Sequence, residues 1–429
     1  MKTSRIPGFY NMSVEDRRQL LKKMQVFSGE KANDFFSEEP LSLDTADNMI
    51  ENVVGTFPLP LGLGLNFLIN DKEYIVPMAI EEPSVVASAS HIAKIVREAG
   101  GFQTEATDRV MIGQIQVVGC DDMDIAKQAL LKAKDTIIEA ANSAYPSLVA
   151  RGGGAEDMDV RVLNEASDSN YTKMLVVHIY VNTCDAMGAN IVNTMVESLA
   201  PKVEDLTGGK VYLRILSNLP DRCLARARCV IPPALLADKT FSGEEVRDGV
   251  VLAYEFADSD PYRAVTHNKG TMNGIDPVVI ATGNDWRAVE AGAHAYAAKD
   301  GHYSSMTSWS VDEKGNLVGE LELPMSVGTV GGSINVHPMS KFALDILDVT
   351  SAQELAQVIV AVGLAQNLGA LKALVTEGIQ KGHMALHSRS VAIAAGATGE
   401  MIDMISKQMI DAKDIRVGKA QQLVEAYKR

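Results

Sequence analysis

A chain of 429 residues with 46% apolar and 22% charged residues is long enough for two or three globular domains and is not the composition of a disordered chain. Its net charge of −15 excludes a general binder of nucleic acid or anionic membranes, so an anionic ligand must meet a local basic cluster. Four cysteines (Cys120, Cys184, Cys223, Cys229) without CxxC spacing read as reduced thiols, with neither a disulfide framework nor a zinc site.

The N-terminal stretch MKTSRIPGFYNMSVEDRRQ is charged throughout and lacks an apolar signal core, and no run of eighteen apolar residues follows. The expectation is a cytoplasmic protein that does not span a bilayer. Ser13 to about Asn48 reads as short helices. Glu51 to Pro60 (ENVVGTFPLP) changes character, because Gly55, Pro58 and Pro60 forbid a long helix. Tyr74 to Ala79 reads as a strand feeding Glu81, Glu82 and Pro83, and Ser84 to Gly100 as a helix. Pro83 biases Glu82 away from helical backbone.

Met111 to Asp221 has a pattern of its own. Strands at Ile112 to Val118, Met158 to Leu163, Met174 to Thr183 and Lys210 to Leu216 are interleaved with helices at about Asp124 to Ala144 and Met187 to Leu199. That β-α-β-β-α-β order is the one of a ferredoxin-like split βαβ unit. The chain continues on both sides, so the unit reads as an insertion. The fold expected is α+β: a discontinuous large α/β domain (1–110 and 220–377), an inserted ferredoxin-like domain (111–219) and a small C-terminal helical lid (378–429). Gly152 to Gly154 fit either a phosphate cradle or a plain loop, and no GxGxxG opens a helix after a strand.

In Asp260 to Gly292 (DPYRAVTHNKGTMNGIDPVVIATGNDWRAVEAG), Arg263, His267, Lys269, Asp276, Asp285 and Arg287 lie among small and apolar residues. Asn273-Gly274 is a turn signal and Pro277 to Thr282 reads as a short strand, with Lys269 on the loop before it and Asp285 on the loop after. Such a strand spans about 20 Å, so the two charges meet only if the loops fold back or another subunit intervenes. The plain alternative is a surface salt bridge. Farther on, Gly328 to Ser333 (GTVGGS) is a tight glycine loop. A helix runs from Ser351 to about Thr376, with a capping box at Ser351 and Glu354. Gly363 and Gly369 within it signal close approach of a neighbour, Gly378 and Gly382 read as hinges, and the tail to Arg429 is too short for a substantial core.

HNKG (His267 to Gly270), MNGID (Met272 to Asp276) and ATGNDWRAVEAGAHAYA (Ala281 to Ala297) closely resemble the hydroxymethylglutaryl-CoA reductases, in their soluble bacterial class II form. The likeness continues through ENVVGTFPLP, EEPSVVAS (Glu81 to Ser88), DAMGAN (Asp185 to Asn190), RILSN (Arg214 to Asn218), GLAQNLGALKAL (Gly363 to Leu374) and GHMALH (Gly382 to His387), over nearly the whole chain. It implies reduction of hydroxymethylglutaryl-CoA by two NAD(P)H to mevalonate and CoA. Two alternatives stay open: the same enzyme oxidising mevalonate, and a non-catalytic ligand-binding relative. A relative that only bound ligand would be free to lose the set Glu82, Lys269, Asp285 and His383, which is complete here.

Thioester reduction needs a cation at the oxygen, proton donors for oxygen and sulfur, and a source of hydride. The resemblance gives Lys269 the oxygen and makes Glu82, with Glu81 as rival, the acid, kept neutral by burial beside Pro83 and Val85-Val86. Asp285 would bridge Lys269 and Glu82, or be the N-cap of the helix beginning at Trp286. His383 would protonate the leaving thiolate. The i,i+4 pair His383 and His387 invites a zinc reading, but Met384 stands where HExxH needs glutamate, so no metal is expected. The resemblance assigns Ser84, Asn218, Arg263 and Asn273 to the hydroxymethylglutaryl group and puts Gln366 near the substrate arm. It assigns Asp185, Met187, Gly188 and Asn190 to the cofactor, where Asp185 alone would equally suit a helix N-cap. Tyr145 replaces the acid of NADH-using members, with Arg151 nearby, which puts NADPH ahead of NADH. Because the family places ENVxG at a subunit seam, a homodimer sharing its active site, or a larger assembly of dimers, is expected.

Overall fold

The computed structural model describes residues 3–26, 41–163, 173–376 and 378–428, and over 379–386 the backbone only. Helix α1 (Val14–Lys23) is capped by Ser13, and the short α2 (Leu43–Asp47) by Ser42. Part of the helical expectation before Asn48, at 27–40, lies outside the described residues. From Asn52 to Pro60 the chain forms no helix or strand, and Val54 and Phe57 are almost wholly exposed. Strands β1 (Leu61–Ile69) and β2 (Lys72–Ala79) pair antiparallel and carry α3 (Val85–Glu98). Strand β3 (Gln103–Ala106) then leads out of the large sheet.

Next come β4 (Val110–Val118), α4 (Met123–Lys132), α5 (Lys134–Ser143), the one-turn α6 (Pro146–Val149), β5 (Gly154–Leu163), β6 (Met174–Asn182), α7 (Ala189–Thr207) and β7 (Lys210–Ser217). The expected single helix is broken at Ala133 into α4 and α5. The sheet order is β5-β6-β4-β7, with each neighbouring pair antiparallel. Ile115, Leu130, Ile137, Leu175, Ile179, Val196 and Leu199 are fully buried in a core separate from the main one. The neck is narrow. Strand β8 (Leu224–Ile231) pairs with β3, and Thr107 N–H donates to Leu224 O at 2.9 Å. The chain thus leaves and re-enters the large sheet on adjacent strands. The glycines at 152–154 form the turn into β5, with Gly153 close against Asn182 O, so the loop reading accounts for them.

Helices α8 (Gly243–Ser259), α9 (Pro261–Ala281) and α10 (Trp286–Tyr296) precede β9 (Thr307–Val311) and β10 (Leu317–Pro324), which complete a sheet of order β3-β8-β10-β9. Helix α11 (Pro338–Leu347) leads to α12 (Ala352–Val375), which lies in the main core with Leu355, Val358, Ile359 and Val362 at zero exposure. By length and composition α12 could cross a bilayer, although Gln357, Gln366 and Asn367 interrupt its apolar run; here it is the buried core helix. Only half of its expected capping box forms. Ser351 Oγ accepts from Glu354 N–H at 3.1 Å, but the Glu354 carboxylate accepts from Thr350 N–H at 2.6 Å and Lys72 Nζ at 2.6 Å.

The main correction falls on Asp260 to Gly292. The expected turn and strand are one 21-residue helix, α9, capped by Asp260 with Pro261 in its first turn. Gly270, Asn273, Gly274 and Pro277 all lie inside it. Residues from Ala264 to Ala281 are buried on several faces, so tertiary packing on α12 overrides local propensity. A Cβ on Gly274 would lie 2.6 Å from Val362 O, so this glycine is what lets the two helices touch. The same holds across α12, where a Cβ on Gly363 would meet Ile275 at 2.8 Å and one on Gly369 would meet Ser88 Oγ at 2.1 Å.

At the C-terminus, α13 (Ile379–Ala394), α14 (Glu400–Asp411) and α15 (Val417–Lys428) enclose a small core of Ala392, Ala397, Ile405, Met409, Ala420 and Val424. The tail therefore has more of a core than its length implied. Gly378 joins it to α12 at φ 80°, whereas Gly382 lies within α13 and breaks nothing.

Candidate active site

Helix α9 presents Lys269 and Asn273 one turn apart on the same face. Opposite them, the loop after β2 carries Glu82. Lys269 Nζ donates to Glu82 Oε2 at 2.7 Å and Asn273 Nδ2 reaches the same oxygen at 3.5 Å. Glu81 is exposed, so of the two acids Glu82 is the one at the lysine. It is not enclosed by Pro83, Val85 and Val86 as expected: its side chain is 33% exposed and paired with an ammonium.

Around this pair stand polar atoms without partners. Ser84 holds a left-handed backbone (φ 79°) at the start of α3 without capping it, and its Oγ is buried and unbonded. Gln366 of α12 lies against Gly274, with Oε1 also buried and unbonded. Arg263, in the first turn of α9, is half-buried, and desolvation lowers its pKa. One turn on, His267 is buried, and burial together with Arg263 brings its pKa down to about 3, so it is neutral. His267 Nε2 lies 2.7 Å from Thr307 Oγ1 and 2.9 Å from Asn367 Nδ2, and Trp309 Nε1 donates to Asn367 Oδ1 at 2.8 Å. This network fixes α9 to β9 and α12. Nothing in the spacing of the motifs pointed to it.

Asp285 lies elsewhere. It caps α10, accepting from Arg287 N–H at 3.1 Å and Ala288 N–H at 3.2 Å, so the N-cap reading of this aspartate holds. The bridge to Lys269 and Glu82 does not form within one chain. Ala281 lies twelve residue steps after Lys269 along α9, about 18 Å of helix rise. Asp285 instead lines a cavity of about 1290 Å³ together with Tyr145, Arg151, Met187, Gly188 and Asn190. Gly188 is the N-cap of the 19-residue α7 at φ 93°, and a Cβ there would lie 2.2 Å from Thr183 Cγ2. No side chain caps that helix.

Two expected ligand residues are placed differently. Asp185 is engaged structurally, accepting the Ala352 N–H at 2.8 Å at the start of α12, and neither contacts the cavity nor caps α7. Asn218 is exposed after β7, with its carbonyl against Gly292 of α10. His383 lies on α13, and its side chain is outside the described residues. Asn284 is a residue the motif reading missed, though it stands beside Asp285. Its side chain accepts Gly328 N–H at 2.7 Å and donates to Gly328 O at 3.1 Å, while Thr329 N–H donates to Asp185 O at 2.9 Å. These bonds tie the loop carrying Asp285 to the DAMGAN loop at the cavity wall.

The family model for hydroxymethylglutaryl-coenzyme A reductase matches residues 13–388. The chain belongs to the hydroxymethylglutaryl-CoA reductase family. It is thus an oxidoreductase that acts on hydroxymethylglutaryl-CoA in the mevalonate pathway. It is 54% identical to the Archaeoglobus fulgidus reductase, over 99% of this chain and 94% of that one. A probable reductase of Borreliella burgdorferi is 35% identical over 90% of this chain and 86% of its own. Among solved structures, the Streptococcus pneumoniae reductase aligns with a TM-score of 0.84 at 45% identity, covering 98% of this chain and 99% of the other. The class II enzyme of that organism bound to NADPH in open conformations gives 0.83 at 46% identity, over 86% of this chain and 99% of its own. The α+β fold is that of the class II reductases, and NAD(P)H is its class of cofactor.

Proposed function

We propose that the chain converts hydroxymethylglutaryl-CoA to mevalonate and free CoA at the expense of two NADPH, at a site built from Lys269, Glu82, Asp285 and His383. The observation that carries this reading is the Lys269–Glu82–Asn273 cluster, beside which Ser84 Oγ and Gln366 Oε1 stand buried without partners. Unpartnered buried polar atoms are uncommon in folded proteins, and an acyl group rich in oxygens would satisfy both.

Bound NADPH supplies the hydrides. The Lys269 ammonium holds the carbonyl oxygen as negative charge gathers on it, and Glu82 delivers a proton to that oxygen. His383 protonates the departing thiolate, a role it takes from its motif. Arg263 grips the far carboxylate in bidentate fashion, with Asn273, Ser84 and Gln366 orienting the rest. Gly188, Met187, Asn190, Tyr145 and Arg151 would hold the dinucleotide. The open N-terminus of α7, where a side chain cannot intrude at Gly188, fits a phosphate. Tyr145 leaves the ribose side of this cavity without a carboxylate, and Arg151 favours the extra phosphate of NADPH over NADH.

Lys269 and Asp285 lie at opposite ends of half a helix, which supports a homodimer in which Asp285 of one subunit meets Lys269 of the other. The inserted module is then the cofactor domain, the C-terminal helices the lid, and the cytoplasm the place of action. Loss of nicotinamide absorbance with hydroxymethylglutaryl-CoA, measured with each cofactor in turn, tests the reading. Turnover with a higher kcat/KM for NADPH is expected. Absence of turnover overturns the function, and a clear preference for NADH overturns the cofactor assignment.

A further inference from the structure

The stripe of α9 that carries Lys269 and Asn273 continues one turn on to Asp276, and there it meets a second acid. Asp276 is hydrogen-bonded to Glu290, on the second turn of α10, while its Oδ1 is buried with no partner of its own. Glu290 Oε2 lies 2.8 Å from His294 Nε2, and His294 Nδ1 lies 2.7 Å from the Tyr303 hydroxyl, the two rings stacking at 5.9 Å. Two carboxylates cannot hydrogen-bond each other unless one carries a proton.

We propose that Asp276 and Glu290 hold one proton between them, and that this shared proton keys α9 to α10, fixing the Lys269–Asn273 stripe relative to the α10 N-terminus where Asp285 sits. Asp276 is the partner that keeps the proton, since burial and then Glu290 push its carboxyl far above the ordinary range. His294 draws Glu290 the other way, toward the carboxylate. Of the charges on elements packed against α9, Lys94 pairs with Glu98 on α3, Arg247 with Asp248 on α8, Lys372 of α12 with Asp238, and Arg287 of α10 with Asp285. On the Gly274 side of α9, α12 offers the uncharged Val362 and Gln366, and around Ile280 and Ala281, β2 and α11 offer Ala79 and Ala343. The charge acting on Asp276 is that of Glu290. Asp276 and Glu290 are positioning residues, and their effect on rate rests on the role given to Lys269 above.

The test uses the full-length protein. Difference infrared spectra of wild type against D276N at neutral pH are expected to show a protonated carboxyl C=O stretch that belongs to wild type alone and disappears on raising the pH. Kinetically, D276A loses about 10- to 100-fold in kcat with the KM for the acyl-CoA little changed, because a small misplacement of reacting groups costs that much. D276N, which replaces the shared proton with an amide N–H, recovers the neutral rate and lacks the alkaline loss of wild type. Absence of the infrared band in wild type overturns the proposal, as does a D276N alkaline limb identical to that of wild type. If D276A does not fold, the spectrum and the D276N profile decide alone. The infrared readout does not depend on turnover, so a fully active K269A would sink the functional reading while leaving the shared proton standing.

Discussion

Replacing Lys269 with alanine should separate activity from stability, and the structure sets the size of each effect. The Lys269 side chain is 60% exposed and its partner Glu82 33% exposed, so their ion pair is a surface pair worth about 0.2–1 kcal/mol. Its loss should move Tm by no more than about 4 °C. The electrostatic role is larger. An ammonium about 4 Å from an oxyanion gains about 4 kcal/mol at an effective dielectric of 20. Water around a lysine this exposed halves that figure at the low end, leaving about 2–4 kcal/mol, or roughly 30- to 1000-fold in kcat. KM for hydroxymethylglutaryl-CoA should change little, because Arg263, Asn273 and Ser84 remain. The assay is nicotinamide absorbance at saturating acyl-CoA beside a thermal melt of the same sample. A K269A enzyme within about threefold of wild type would refute the oxyanion role. A fall in Tm beyond about 10 °C alongside the lost activity would show that the lysine holds the fold instead.

Other variants probe separate parts of the same reading. Mixed K269A and D285N subunits should recover about a quarter of wild-type activity if the site spans two chains, since half of a random mixture is heterodimer with one intact site; no recovery would place the site within one chain. H383Q should slow thioester reduction but spare reduction of free mevaldehyde, and equal loss on both would rule out sulfur protonation. G274A gains about 1 kcal/mol of helix propensity but sets a Cβ 2.6 Å from Val362 O, so overpacking of about 1–3 kcal/mol should win and lower Tm in a melt; an unchanged Tm would show that α9 and α12 yield. Burial raises the Glu354 carboxyl, but Lys72, the Thr350 N–H and Tyr74 outweigh it and hold the group at about 2. A depressed carboxylate gives stability that is full above the ordinary value of 4.5 and fades as pH falls toward 2, so wild type should out-melt E354Q at pH 7 and lose that lead over this window. A lead that is constant across that range would refute the assignment.

The inserted module was legible because its four strands alternate and its helices carry one apolar face. Those periodicities survive even where the core they serve is not visible in the sequence. Strand β2 and helices α3 and α12 were legible for the same reason, with Ser351 marking the start of α12 by its cap. Helix α9 was not. Local rules count Gly270, Asn273, Gly274 and Pro277 against a helix, and burial on several faces erases the stripe that would have announced one. The information that makes it helical lies in α12, nearly a hundred residues away, whose backbone needs a glycine opposite it. The site was legible in its residue types and not in its geometry. The motifs singled out Lys269, Glu82 and Asp285, and the distance between Lys269 and Asp285 was foreseen from a strand; what the sequence hid is that a helix sets it, with Lys269 against Glu82 and Asp285 at the cap of α10.

That separation is what gives the molecule its logic. A rigid helix of about 18 Å rise separates the cation from the loop leading to the capping aspartate, too far for one acyl carbonyl to touch both within a chain. In the homodimer proposed above a two-fold related copy would do so, and because such an interface is isologous it would bring both pairs together at once. The same dimer would give the exposed apolar segment with Val54 and Phe57 a surface to cover it. On this view the demands on α9 are mechanical as much as chemical: it must stay straight through a proline, lie close against α12 through Gly274, and be pinned at its far end by Asp276 and Glu290. Each of these features lies in the half of the helix beyond Lys269, where a change in direction would be carried to Asp285.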